Sequence, residues 1–317
     1  TLGEGQETLG VWISADGNWR DQAKQLKHKA ENWSNKMKQS HLNEYDTTTA
    51  LQTTILKTIE YPLPATSLTY KQCKDITKEV LRHTLPRMKV VRTINQDAVQ
   101  LPIAYRGLGI NDIHTIQGIE HVKVLLKHGG EHNATGILLQ TTMEYHALEA
   151  GSLKSIFKLP IEMVKYMTPT WFQNTLTFMH EHSISITNHQ GQPDKWTMED
   201  EGIMDLIVQS ERYSLDELRS INRCRQFLQV MTTSDILNDE GILLKPAFDL
   251  VKYESISTMA YQWPKRPKPT EKDVKLWQHA LNITMGWHIS KESSYTHWVL
   301  KQGSVYQQVE KGQHPGY

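Results

Sequence analysis

Apolar residues recur at helical spacing through most of this chain and at strand spacing only briefly. Near the start, Val11 and Ile13 alternate against Trp12 within residues 9–14, which predicts a short strand closed by the turn Ala15-Asp16-Gly17-Asn18. From Asp21 the period changes. Ala23, Leu26, Ala30, Trp33 and Met37 follow at spacings of 3 and 4, one face of a helix. The other side of that helix carries Lys24, Lys27, Lys29, Lys36 and Lys38. A strand therefore turns tightly into a basic amphipathic helix, and residues 1–7 read as a flexible lead-in.

More helices follow. Asn43 is a good N-cap for a second helix with Tyr45, Leu51, Ile55, Leu56 and Ile59 as its apolar positions. Pro62 ends it, and residues 61–64 read as an extended connector. Thr69 with Gln72 is a capping box for a third helix that buries Cys73, Ile76, Val80 and Leu81 and stops at Pro86. Residues 86–113 lack a helical period and predict a loop with short extended pieces around Gly107-Leu108-Gly109. Helices are then expected over 114–128, with Ile116, Ile119, Val122, Leu125 and Leu126 apolar, and over 135–149. Gly129-Gly130 marks the stop between them.

A second region opens near Gly151. Thr170 caps one helix, and Ser214 with Glu217 boxes another that runs to about residue 231. A short helix lies over 203–208, a strand over 184–188 and a turn over 238–241. The alternate prolines of 264–270 favour a polyproline linker. Beyond it Thr270 opens a helix bearing Val274, Trp277 and Leu281, and two short runs after residue 286 suggest a hairpin. The expected fold is mainly α: a short strand and then a helical bundle, followed by a second mostly helical region with a few strands. The divisions fall at 1–20, 21–150, 151–263, the linker 264–270 and a final segment 271–317 read as truncated.

Composition fits a globular chain, with 38% hydrophobic and 22% charged residues, and the formal net charge of 0 points to no partner. Distribution says more. Residues 20–92 hold 14 Lys or Arg against 7 Asp or Glu, whereas residues 194–240 hold 5 against 11. A basic early surface and an acidic later one are expected. Cys73 and Cys224 lie far apart inside predicted helices, which predicts buried thiols, a reducing compartment and an intracellular location, nuclear or cytoplasmic. No apolar run approaches the roughly 18 residues that span a bilayer, so no membrane partner is expected. The chain opens on Thr1, almost directly on a strand, and is read as part of a longer polypeptide.

Catalytic signatures are sparse. No Asp-Asp pair is present to hold two metal ions. Glu199-Asp200-Glu201 with Asp205 reads as an exposed acidic helix start, and His180-Glu181-His182 with His189 lacks the HExxH spacing of a zinc site. There is no G-x-S-x-G elbow, and Gly107-x-Gly109 lacks the third glycine of a phosphate loop. What survives is charge. The lysine face is joined by Arg87, Lys89, Arg92 and Arg106, with Tyr105 nearby. Cations for phosphates and a flat ring for stacking are what nucleic-acid backbone contact needs. The other class consistent with the pattern is a helical protein-interaction module using the acidic block and the proline linker.

An ordered series of short motifs resembles the region after the palm in reverse transcriptases of non-LTR retrotransposons. It runs through Leu9-Gly10-Val11, Asp16-Gly17-Asn18, Ala30 with Trp33, Tyr61-Pro62-Leu63, Leu68-Thr69, Lys71-Gln72-Cys73, Pro86-Arg87-Met88, Gly107-Leu108-Gly109 and Gln117-Gly118. Asn222-Arg223-Cys224-Arg225, Phe227-Leu228-Gln229 and Ser234-Asp235-Ile236 resemble the segment that trails the thumb in these elements. The resemblance implies that Leu9-Gly10 ends a palm strand near the primer grip. It also implies that residues 21–85 form a thumb holding an RNA–DNA or DNA duplex. The catalytic Tyr-x-Asp-Asp loop and its Mg²⁺ would sit in an upstream palm and fingers, leaving no cofactor and no polymerase activity to this chain alone. On the amphipathic pattern, the contacts expected with nucleic acid are Trp12, Lys24, Lys27, Lys36, Arg87, Lys89, Arg92 and Arg106.

Overall fold

The structure is a computed structural model that describes residues 3–186, 201–237, 243–251, 263 and 266–284. It is mainly helical, as the periodicity predicts. The chain divides into two units, Thr1–Leu139 with Pro169–Met179, and Gln140–Thr168 with His180–Tyr317. The division does not follow the change of pattern near Gly151, and the helix from Trp171 contributes most of its length to the first unit.

Unit 1 begins with a hairpin rather than a lone strand. β1 (Gln6–Thr8) pairs antiparallel with β2 (Val11–Ile13), with Thr8 opposite Val11. Leu9 and Gly10 are therefore the turn, not the strand, and both have positive φ, 50° and 81°. That is the backbone of a primed two-residue turn, which matches the twist of the flanking strands and which glycine adopts without strain. The sequence pattern does not reveal β1 because Gln6, Glu7 and Thr8 are all exposed and carry no apolar alternation. Pairing with β1 gives β2 the partner that the sequence left in doubt.

Helix α1 (Arg20–Gln39) buries Ala23, Leu26, Ala30, Trp33 and Met37, the face read from the spacing. After it come α2 (Glu44–Ala50), a π-helical turn (Leu51–Ile55) and α3 (Leu56–Glu60). The threonine-rich stretch is helical, and Thr47, Thr48, Thr53 and Thr58 each donate their hydroxyl to the carbonyl four residues back, which satisfies the hydroxyls within the helix. Asn43 caps α2, accepting from Asp46 N at 2.9 Å. Leu51, Ile55 and Ile59 are buried, but Tyr45 is exposed, since only one side of this short helix meets the core. The 61–64 connector is not extended: Leu63–Ala65 form a 3₁₀ turn whose Leu63 is fully buried.

Helix α4 (Tyr70–Arg87) has the predicted capping box and buries Cys73, Ile76 and Val80, with Leu81 half-buried. Pro86 lies inside its last turn rather than before it. Residues 86–113 hold helical turns, α5 (Gln96–Gln100) and a 3₁₀ turn (Ile103–Tyr105), in place of extended pieces. Helix α6 (Ile113–His128) buries Ile113, Val122 and Leu125 and leaves Ile119 and Leu126 exposed. The buried side chains of α1, α4 and residues 51–63 form one hydrophobic core with Ile110 and Ile113.

Polar side chains of α6 stitch that core to the turn before α4. Gln117 accepts from Leu68 N at 2.8 Å and donates to Leu68 O at 3.0 Å. His121 Nε2 donates to Thr66 O at 2.7 Å. Burial pushes the His121 imidazole down to about 4, against the carbonyls of Thr66 and Leu63, which pull it up. The folded chain thus keeps this ring neutral at pH values where the unfolded chain protonates it. The stability is complete above about pH 6.5 and is lost as the pH falls towards 4, by about 3 kcal/mol in all. Thermal melts between pH 7 and 4.5 should therefore fall more steeply for the native protein than for His121→Gln. Equal slopes would remove His121 as the cause.

Helix α7 (Ala134–Ala150) runs through the division, as does α9 (Trp171–Glu181). Unit 2 adds α8 (Ile161–Tyr166), α10 (Ile203–Gln209), α11 (Leu215–Leu228), α12 (Lys245–Phe248) and α13 (Glu271–Thr284). The Ser214–Glu217 capping box is present, and α11 stops at Gln229, two residues early, with a left-handed φ of 64°. Residues 184–186 form no strand, and residues 187 and 188 lie outside the described set. So do the turn at 238–241 and the hairpin expected after 286. Residues 271–284 are no separate segment: Trp277 and Leu281 of α13 are fully buried, and Trp277 Nε1 donates to Ala247 O at 2.9 Å. Pro267 and Pro269 therefore precede a helix packed into the core of unit 2.

Candidate nucleic-acid interface

Helices α1 and α4 lie side by side and make the platform for the basic residues. Trp33 Nε1 of α1 donates to Thr84 Oγ1 of α4 at 3.0 Å. One turn further along both helices, Arg87 donates from Nε to Met37 O at 3.1 Å and from Nη2 to Lys38 O at 2.9 Å. The two helices therefore run parallel, with their C-terminal ends together. Arg87 adds donors to the last carbonyls of α1, where Met37 O also accepts from Ser40, and places positive charge at the negative pole of its dipole. This predicted phosphate ligand is thus committed to capping a helix.

At that shared end four basic side chains meet. Arg92 Nη2 lies 3.3 Å from His83 Nδ1. A guanidinium only donates, so Nδ1 accepts and the ring is neutral with its proton on Nε2. Burial and then the charges of Arg92, Arg82 and Lys38 push the His83 imidazole below its ordinary value, with Glu79 acting the other way. Lys38, Arg82 and Arg92 are all exposed. Arg92 thus touches the ring, and the charges of Arg82 and Lys38 are near enough to act on it.

The other expected ligands are distributed unevenly. Lys24, Lys27 and Lys36 are exposed, and none is within ion-pair distance of an acid among the described residues. At about 100° per residue, Lys24, Lys27 and Lys38 share one flank of α1, while Lys29 and Lys36 lie about 120–140° from Lys24 on the other. Lys36 therefore does not join the same surface as Lys24 and Lys27. Lys89 reaches Glu44 at 3.7 Å, an exposed pair that leaves it open to solvent. Arg106 is exposed at a left-handed φ of 63°, at the end of the turn that also exposes Ile103 and Tyr105. No contact joins it to the cluster at the helix ends among the described residues. Trp12 is half-buried in the hairpin, where its backbone N–H donates to the buried Gln22 of α1 at 2.7 Å. Gly5 N to Asp21 at 2.7 Å and Tyr61 hydroxyl to Leu9 O at 3.0 Å complete the attachment of the hairpin.

Arg82 and His83 are the residues that sequence reasoning overlooked. Their signal in the sequence is the helical spacing of the basic positions of α4, beside its apolar face. Catalytic chemistry gains no support among the described residues. No group of three or more His, Cys, Asp or Glu stands in metal-binding arrangement there. Asp205 accepts from Ser152 Oγ at 2.7 Å and Leu153 N at 2.9 Å, a local anchor. Burial pushes both the Cys73 and Cys224 thiols up to about 12, so neither is a reactive thiolate. No described helix is long and apolar enough to cross a membrane. No protein-family model matches this chain, and no curated protein or solved structure matches it significantly.

Proposed function

We propose that unit 1 is the thumb of a retroelement RNA-directed DNA polymerase and binds the primer–template duplex through its phosphate backbone. The observation that carries this reading is the grouping of Lys38, Arg82 and Arg92 around His83, beside the Lys24 and Lys27 flank of α1. Exposed cations release counterions when they meet phosphates, which gives affinity without sequence preference, and the one acid paired with this group, Glu79 at 3.4 Å from Arg82, forms only an exposed, exchangeable pair. The motif order supplies the polymerase context. On this reading Mg²⁺ and the nucleotide chemistry belong to the palm, and Residues 151–284 belong to the connection that follows the thumb.

Fluorescence anisotropy with a labelled RNA–DNA hybrid tests it. Residues 1–317 should bind, and Lys24→Ala, Lys27→Ala and Arg92→Ala should each lower the slope of log K against log salt by about 1. Binding that ignores salt, or no binding, would favour a protein-interaction module instead.

A further inference from the structure

The exposed side of α4 extends the cluster at its end. Lys71, Lys74, Lys78 and Arg82 are all exposed and follow at spacings of 3, 4 and 4. At about 100° per residue they fall within an arc of about 80°, and at about 1.5 Å per residue they span about 16 Å. Arg82 ends the row, and the Arg92–His83 contact begins at the next residue. Lys38 joins from α1, whose end is tied to that of α4 by Arg87. At the head of the row Tyr70 is exposed, with the Lys74 ammonium 5.9 Å from its ring centroid. Asp75 and Glu79 flank the row on one side only, and Glu79 pairs with Arg82 at 3.4 Å.

We infer that the α4 row, continued by Arg92 and Lys38, is a phosphate track that follows one strand of a nucleic-acid duplex. This rests on the reading that unit 1 binds duplex and says which surface does so. A strand winds around the duplex as it advances about 3.4 Å of axis per phosphate, so a straight row of about 16 Å lies along a few successive phosphates of one strand. A straight row of point charges on flexible stems suits a linear polyanion, because each lysine reaches whichever phosphate is nearest. Lys24 and Lys27 of α1 then meet phosphates beside the track, and His83 is a positioning residue that holds Arg92 at its end.

The test uses residues 1–317, a short RNA–DNA hybrid and two charge-matched triple variants. Lys71→Gln/Lys74→Gln/Lys78→Gln removes three charges from the row. Lys154→Gln/Lys158→Gln/Lys165→Gln removes three exposed charges from unit 2. The row variant should lower the salt slope by about 2–3 and weaken binding about 100-fold at 0.1 M salt. The unit 2 variant should bind within about twofold of the native protein. If the row variant binds like the native protein, or both variants weaken equally, the track is wrong and duplex binding stands. If the native protein shows no salt-sensitive binding, the thumb reading fails and the track with it. Circular dichroism melts of the surface variants should match the native protein, so lost binding cannot be lost folding.

Discussion

Arg225→Met is expected to destabilise unit 2 by about 3–5 kcal/mol. Arg225 is fully buried, and its guanidinium is the hub of the polar contacts at the end of α7. Nη2 donates to Leu148 O at 2.6 Å and Glu149 O at 3.0 Å, Nη1 to Val230 O at 3.0 Å, and Nε to Asn222 Oδ1 at 2.7 Å. Asn222 and Gln226 add donors to Glu149 O at 2.9 and 3.1 Å. Burial lowers the guanidinium to about 10, so it stays charged at neutral pH. Methionine fills much of the volume but donates nothing, and each carbonyl left dry costs about 1–3 kcal/mol. The site has no slack. Gly151 stands at a φ of 76°, and a Cβ there would come within 2.6 Å of Arg225 Nε. Urea unfolding followed by far-UV circular dichroism measures the loss. Arg225→Lys should recover little of it, because one ammonium cannot span four acceptors in a fixed fork. A loss below about 1 kcal/mol would show that water replaces the guanidinium and that the end of α7 is not closed.

Trp33→Ala should cost unit 1 about 3–5 kcal/mol and loosen the platform of the basic residues. Trp33 is buried in the middle of the α1–α4 contact, among Leu26, Met37 and Val80 of one core. Truncation removes a large ring from a close-packed interior and leaves a cavity that the rest of two rigid helices cannot close. The hydrogen bond is the smaller part. Thr84 Oγ1 also donates to Val80 O at 2.6 Å and stays satisfied without the indole. Trp33→Phe should therefore cost much less than Trp33→Ala. Chemical denaturation of the three proteins checks the order, and equal losses for both variants would shift the weight from packing to the indole N–H.

How legible the molecule was depends on what each stretch buries. Helices with one apolar stripe were read almost residue for residue, as with Leu26, Ala30, Trp33 and Met37 in α1. Capping residues were equally clear, because Asn43, Thr69 and Ser214 act locally on their own backbone. Failures came where local preference and burial diverge. β1 buries nothing and so has no pattern to find, yet backbone pairing makes it a strand. The 86–113 segment folds into short helical turns held by contacts such as Ile110 N to Val99 O at 3.0 Å, which no period records. Among the candidate ligands, exposure was predictable but grouping was not. Arg87 looks like its neighbours in sequence, and only the convergence of two helix ends turns it inward to cap one of them. The same convergence brings Lys38, 44 residues before Arg82, to the side of His83.

The central claim is that unit 1 carries a cationic surface for duplex backbone. Its most direct measurement is the affinity of residues 1–317 for an RNA–DNA hybrid across 50 to 400 mM salt. The account predicts a linear fall of log K with log salt, with a slope between about −5 and −7 that is the same for unrelated sequences. A slope near zero, or binding confined to one sequence, would contradict it.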